Sequence, residues 1–111
     1  MTKIEILRQK GRIVKYKATG HAEYAEMGAD IVCAALSMAM QFPLGGMQEV
    51  LSITPRFEID SDGYMEVDLR GMDLSSKEKE VQTLLESMTV MIKELSKQYP
   101  KYVKLVEKEE N

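Results

Sequence analysis

The stretch GHAEYAEMGADIVCAALS, residues 20–37, holds the only histidine and the only cysteine of the chain. A thiolate attacks carbonyl carbon, and imidazole is the side chain suited to take a thiol proton near neutral pH. Asp30 precedes an apolar, Ala-rich run and suits the N-cap of a helix. Cys33 then falls at the third helical position. Unpaired N–H groups and the positive end of the helix dipole favour a thiolate there. His21 lies twelve positions earlier, and a loop of that length can fold back onto the thiol. Asp30 could orient the imidazole, completing a nucleophile–base–orienter set, or it could serve only as the cap. Ser37 sits one helical turn after Cys33 on the same face. The amides of the first helical turn are the candidate donors for an oxyanion.

Each of these residues also has a plainer reading. Free cysteine is among the most buried residue types, and a lone cysteine in an apolar helix is commonly core. A histidine after Gly20 is commonly a strand end. His21, Glu23, Glu26, Asp30 and Cys33 supply metal-ligand types, but their spacing matches no usual zinc pattern. No metal and no cofactor is therefore expected. The placement of Cys33 in a first helical turn is the argument that rises above these plain readings.

The elements that would position the pair follow from periodicity. TKIEILR (2–8) and RIVKYKAT (12–19) alternate polar and apolar residues around Gly11, as a β-hairpin does. A helix apolar nearly all round starts after Asp30. Pro43 must kink or end it, Gly45 and Gly46 weaken it, and MQEVL (47–51) could add a turn. TPRFEID (54–60) and YMEVDLR (64–70) flank Ser61-Asp62-Gly63, a second hairpin. Ser75 or Ser76 caps a long amphipathic helix with Val81, Leu84, Leu85, Met88, Met91, Ile92 and Leu95 on its core face, ended by Pro100. KYVKLVE (101–107) reads as a last strand, and KEEN as a solvated tail. The order is ββαββαβ, an α+β fold in a single domain, 1–111, with a mainly antiparallel sheet and two packed helices.

Composition bounds the function. The chain has 111 residues, 44% hydrophobic and 30% charged, the size and balance of one globular domain. No run of about 18 apolar residues is legible, so no membrane span is expected. The opening MTKIEILRQK is charged and alternating, unlike a signal peptide, and a single cysteine fits a reducing compartment. A cytoplasmic location is the expectation. Net charge is −3 and pI about 5.2, with basic and acidic residues interspersed, which argues against direct nucleic-acid binding. A basic protein substrate suits this surface better.

GHA, a short loop and then GADIVCAALS resembles the Prp family, the bacterial ribosomal-processing cysteine proteases. The resemblance covers essentially the whole chain, through the flanking hairpins, the long second helix and the last strand. It implies a Cys-His endopeptidase that removes a short N-terminal extension from large-subunit ribosomal protein twenty-seven. It implies Cys33 as nucleophile and His21 as base, with Asp30 and Ser37 in supporting positions. It also implies a homodimer, and a loop after the histidine that orders on peptide binding, with Gly20 and Gly28 as hinges. Tyr24 and Met27 of that loop, and Met38, are candidates to cover or line a bound peptide. MQFPLGGMQEV departs from a regular family helix, which puts the packing of that helix's second half in question. The competing reading is a ribosome-associated protein-binding module without catalysis, in which Cys33 is a helix packing residue.

Overall fold

The structure is a computed structural model describing residues 1–26 and 30–110, with Ser75 described by its backbone only. Strands β1 (Thr2–Gln9) and β2 (Arg12–Thr19) form the first hairpin. Lys10 and Gly11 both take positive φ, 52° and 79°, the conformation a two-residue hairpin turn requires. Helix α1 spans Ile31–Gly45. Strands β3 (Arg56–Asp60) and β4 (Tyr64–Asp68) form the second hairpin. Helix α2 spans Glu78–Gln98, and β5 spans Val103–Glu110. The sheet order is β3-β4-β2-β1-β5, antiparallel except for β5, which runs parallel to β1.

Alternation sorts the two sheet faces. Ile4, Ile6, Ile13, Tyr16, Met65 and Val67 are buried beneath the helices. Val32, Leu36, Met40, Leu44 and Met47 from α1 and its continuation join Val81, Leu85, Met88 and Ile92 from α2 above them. The opposite face is charged: Glu5 lies 3.8 Å from Lys3, 3.6 Å from Lys17 and 3.1 Å from Lys108.

Several expectations change. Pro43 neither ends nor stops α1; the helix continues through it into a π-helical turn, Gly46–Val50, with the Leu51 N–H donating to the Gly46 carbonyl at 3.1 Å. Pro43 is buried, and the packing of both flanking turns offsets the roughly 3 kcal/mol that proline costs inside a helix. The continuous segment Ile31–Val50 is long and apolar enough, by length and composition, to cross a membrane, contrary to the sequence reading. Here it is the central helix of the core.

Secondly, α2 has no serine cap. Ser75–Lys77 form a 3-10 turn and the helix proper begins at Glu78. Its core face is as expected except for Met91, which is 54% exposed. Thirdly, β5 begins later and runs further than predicted. Lys108, Glu109 and Glu110 pair with Leu7, Arg8 and Gln9 rather than forming a free tail, and Asn111 lies outside the described residues. Lastly, Gly46 is a close-approach residue rather than a mere weak point: a Cβ there would meet Leu84 Cδ1 at 2.9 Å.

Candidate active site

Asp30 is the N-cap of α1, with extended backbone (φ −80°, ψ 98°). Its Oδ1 accepts from the N–H groups of Val32 at 3.0 Å and Cys33 at 2.9 Å. Its Oδ2 accepts from the N–H groups of Tyr24 at 2.9 Å and Ala25 at 3.3 Å. One carboxylate therefore ties the segment after His21 to the helix turn that carries Cys33. Partial desolvation raises the Asp30 carboxyl, but the amides of Cys33, Ala25 and Tyr24 favour the anion, and the net position is below the usual carboxylate value. Among the described residues its hydrogen-bond partners are these amides and the Cys33 side chain, not the His21 ring. The structure thus gives Asp30 the capping role and a loop-fastening role that spacing alone did not reveal.

The thiol is half-buried. The Ala22 N–H donates to Cys33 Sγ at 3.3 Å, so a buried residue next to His21 aims its amide at the sulfur. The first-turn amides expected to serve an oxyanion are already engaged. Val32 and Cys33 donate to Asp30 Oδ1, and the Ala34 N–H donates to the Asp30 carbonyl at 3.1 Å.

Cys33, His21, Gly20 and Ser37 share one cleft of about 260 Å³. Leu36, Met40 and Gln41 of α1 complete one wall, and the β3–β4 turn, from Ile59 to Met65, forms the other. Ser37 Oγ accepts from Gln41 Nε2 at 2.8 Å, which leaves its own proton to donate.

The imidazole is placed by backbone packing. Gly20 takes φ 86°, and a Cβ there would fall 2.5 Å from the Met1 carbonyl oxygen. A Cβ on Gly63, φ 81°, would fall 2.6 Å from the Gly20 carbonyl oxygen and 3.1 Å from His21 Cε1. Two glycines distant in sequence thus let three backbone segments close on the His21 peptide. Gly63 reads in sequence only as a hairpin residue; its contact with His21 has no local signal.

Two sequence candidates fall elsewhere. Tyr24 packs edge-on against Tyr99 and Tyr102, with centroids 5.5 Å and 5.2 Å apart, so it anchors the loop to the end of α2 rather than lining the cleft. Met38 is 72% exposed and is not a lining residue, because its position on α1 turns it outward. Met27 and Gly28 lie outside the described residues. The described residues contain no group of three or more His, Cys, Asp or Glu side chains placed to hold a metal.

The sequence profile of the family described as cysteine protease Prp matches residues 1–104. The chain belongs to the cysteine protease Prp family. It is a cysteine protease, and its α+β architecture is that of solved Prp structures. The chain is 29% identical, over 90 residues, to the ribosomal processing cysteine protease Prp of Bacillus subtilis (strain 168), covering 78% of this chain and 79% of the relative. It is 26% identical over 102 residues to the Prp of Staphylococcus aureus (strain Mu50 / ATCC 700699), covering 89% and 91%. The crystal structure of SMU.848 from Streptococcus mutans superposes with a TM-score of 0.86 at 28% identity, covering 99% of this chain and 96% of that one. That of Prp from S. aureus with a covalently linked product peptide superposes with a TM-score of 0.85 at 24% identity, covering 96% and 99%.

Proposed function

We propose that this Prp-family protease cleaves peptide bonds with Cys33 as nucleophile and His21 as general base. The observation that carries the reading is the Ala22 N–H directed at Cys33 Sγ, in a cleft that also holds His21. An amide aimed at sulfur favours negative charge on it. His21 takes the thiol proton, and sulfur attacks the scissile carbonyl to give a tetrahedral adduct. The adduct collapses to a thioester as His21 returns the proton to the leaving amine. Water, deprotonated by His21, then hydrolyses the thioester and restores the thiol. Ser37 supplies a hydroxyl donor to the bound peptide.

The substrate we propose is the precursor of large-subunit ribosomal protein twenty-seven, cut to release its N-terminal extension in the cytoplasm by a homodimer. Two things support it. The Bacillus subtilis and Staphylococcus aureus relatives carry the name ribosomal processing cysteine protease. The cleft wall also carries Asp60, and beside it the Tyr64 hydroxyl donates to Glu66 at 2.6 Å. That hydrogen bond first, then burial and the neighbouring carboxylates, push the Tyr64 phenol up to about 12. Such a wall suits a basic protein. The test is the reaction of the purified chain with the precursor, followed by intact mass. The reading requires loss of one N-terminal peptide by the parent and none by Cys33→Ala. Equal binding of the precursor by both without any cut would favour a non-catalytic binding module.

A further inference from the structure

We infer that the corner between α2 and β5 positions the general base. Tyr99 and Tyr102 clasp Tyr24 on one side of His21, and the Tyr102 carbonyl holds Thr2 against Gly20 on the other. This rests on the Cys33–His21 reading and names positioning residues that act on that pair without touching the peptide.

The segment after His21 needs a restraint. Ala22 is fully buried and directs its N–H at Cys33 Sγ, 3.3 Å away. Glu23 then takes φ 60°. That is a left-handed conformation, which a residue with a Cβ keeps only where its surroundings over-determine it. Glu23 cannot supply the restraint itself: its side chain is exposed and meets only the Met1 ammonium, at 3.7 Å, a surface pair of little strength. The next residue supplies it. Asp30 Oδ2 takes the Tyr24 N–H, and the Tyr24 ring is held separately. It stands edge-on to Tyr99, centroids 5.5 Å apart at 80°, and to Tyr102, 5.2 Å apart at 84°. Edge-to-face contact is a favoured aromatic geometry, and here two such contacts hold a ring that is 43% exposed.

The corner is itself well fixed. The Tyr99 N–H donates to the Leu95 carbonyl at 2.8 Å, closing α2. The N–H groups of Tyr102 and Val103 both donate to the Tyr99 carbonyl, at 2.9 Å and 3.0 Å. Both tyrosines pack against the core. The same corner reaches the other side of His21. The Thr2 N–H donates to the Tyr102 carbonyl at 2.9 Å. Thr2 is buried, lines the cleft and donates through Oγ1 to the Gly20 carbonyl at 3.4 Å. A turn remote in sequence thus grips the chain just before and just after the histidine. Tyr99 and Tyr102 do not line the cleft, so they act through His21 and Ala22.

The experiment compares Tyr24→Ala, Tyr99→Ala and Tyr102→Ala with phenylalanine at the same positions. kcat and KM are read on a fluorogenic peptide spanning the extension junction of the precursor, and alkylation of Cys33 by iodoacetamide is followed against pH. Each alanine variant is expected to lower kcat about tenfold at unchanged KM, as displacement of a reacting group does. Alkylation should move to higher pH, because a displaced Ala22 N–H and imidazole no longer favour the thiolate. Phenylalanine keeps the ring edges and should restore both. Tyr24→Ala combined with either corner change should be no worse than Tyr24→Ala alone. Tyr24 sits on an exposed segment, so Tyr24→Ala decides the matter should a corner variant fail a denaturant melt. Parent kcat and a parent alkylation profile in Tyr24→Ala would overturn the clasp. So would a rise in KM alone, which puts the tyrosines in the substrate site, or an equal loss in the phenylalanine variants. A parent that cuts no peptide, while the alanine variants still shift alkylation, would sink the protease reading and keep the clasp.

Discussion

The two ends of α1 solve different problems. At the first turn, Asp30 gathers four N–H groups, of Val32, Cys33, Tyr24 and Ala25, with one carboxylate. At the last turn, the chain dispenses with groups instead: Pro43 has no N–H and Gly46 has no Cβ, so α2 can approach closely through Leu84. The first end is organised by charge and hydrogen bonds, the second by volume. A change of charge should therefore damage chemistry at one end, and a change of size should damage stability at the other.

After loss of the Cys33 nucleophile itself, the largest effect expected is at His21. His21→Ala should lower kcat by about 10² to 10⁴, the range of general acid–base catalysis, with little change in unfolding midpoint, because the ring is exposed. Steady-state cleavage beside a denaturant melt checks both. Asp30→Ala comes next and should do two things at once. Loss of the cap costs about 1 kcal/mol of stability, and release of the Tyr24–Ala25 segment should lower kcat roughly tenfold or more through misplacement of His21. An unchanged kcat would show that the loop needs no fastening.

Gly46→Val should sharpen the contrast from the other end. Overpacking against Leu84 is expected to cost about 1–3 kcal/mol in a denaturant melt. Cleavage well below the unfolding midpoint should stay near the parent rate. A large drop in kcat without loss of stability would mean the two ends are coupled.

Acid should weaken the charged end. The Asp30 carboxyl sits below its ordinary value in the fold, and Asp68, hydrogen-bonded by Arg70, falls to about 2. A group depressed on folding contributes its stability above the unfolded pKa and loses it as pH falls through the folded one. Stability should thus be flat down to about pH 4 and decline from there toward about pH 2. The smallest effect is at Met38: Met38→Ser on the outer face of α1 should change stability and kcat/KM within about 0.5 kcal/mol.

What the sequence made legible follows the range of the interactions. Both hairpins, the N-cap at Asp30 and the core face of α2 are set by neighbours within a few residues, and periodicity reveals them. Pairing of Lys108–Glu110 with Leu7–Gln9 is long-range and carries no apolar alternation, so a strand looked like a tail. Continuation through Pro43 depends on burial from both flanking turns, which no local rule encodes. In the site, Cys33, His21 and Ser37 were legible by type and spacing. Gly63 beside the imidazole and Ile59 in the cleft come from a hairpin far along the chain. Tyr24 could be read as a loop aromatic, but its partners Tyr99 and Tyr102 could not.

The central claim is that the sulfur at the charged end of α1 cuts a peptide bond. Its most direct measurement is the mass of the precursor ribosomal protein after incubation with the parent and with Cys33→Ala. The account predicts one discrete N-terminal loss with the parent, none with the variant, and equal unfolding midpoints for the two proteins. Cleavage by Cys33→Ala at the parent rate, or an intact precursor with both, would contradict it.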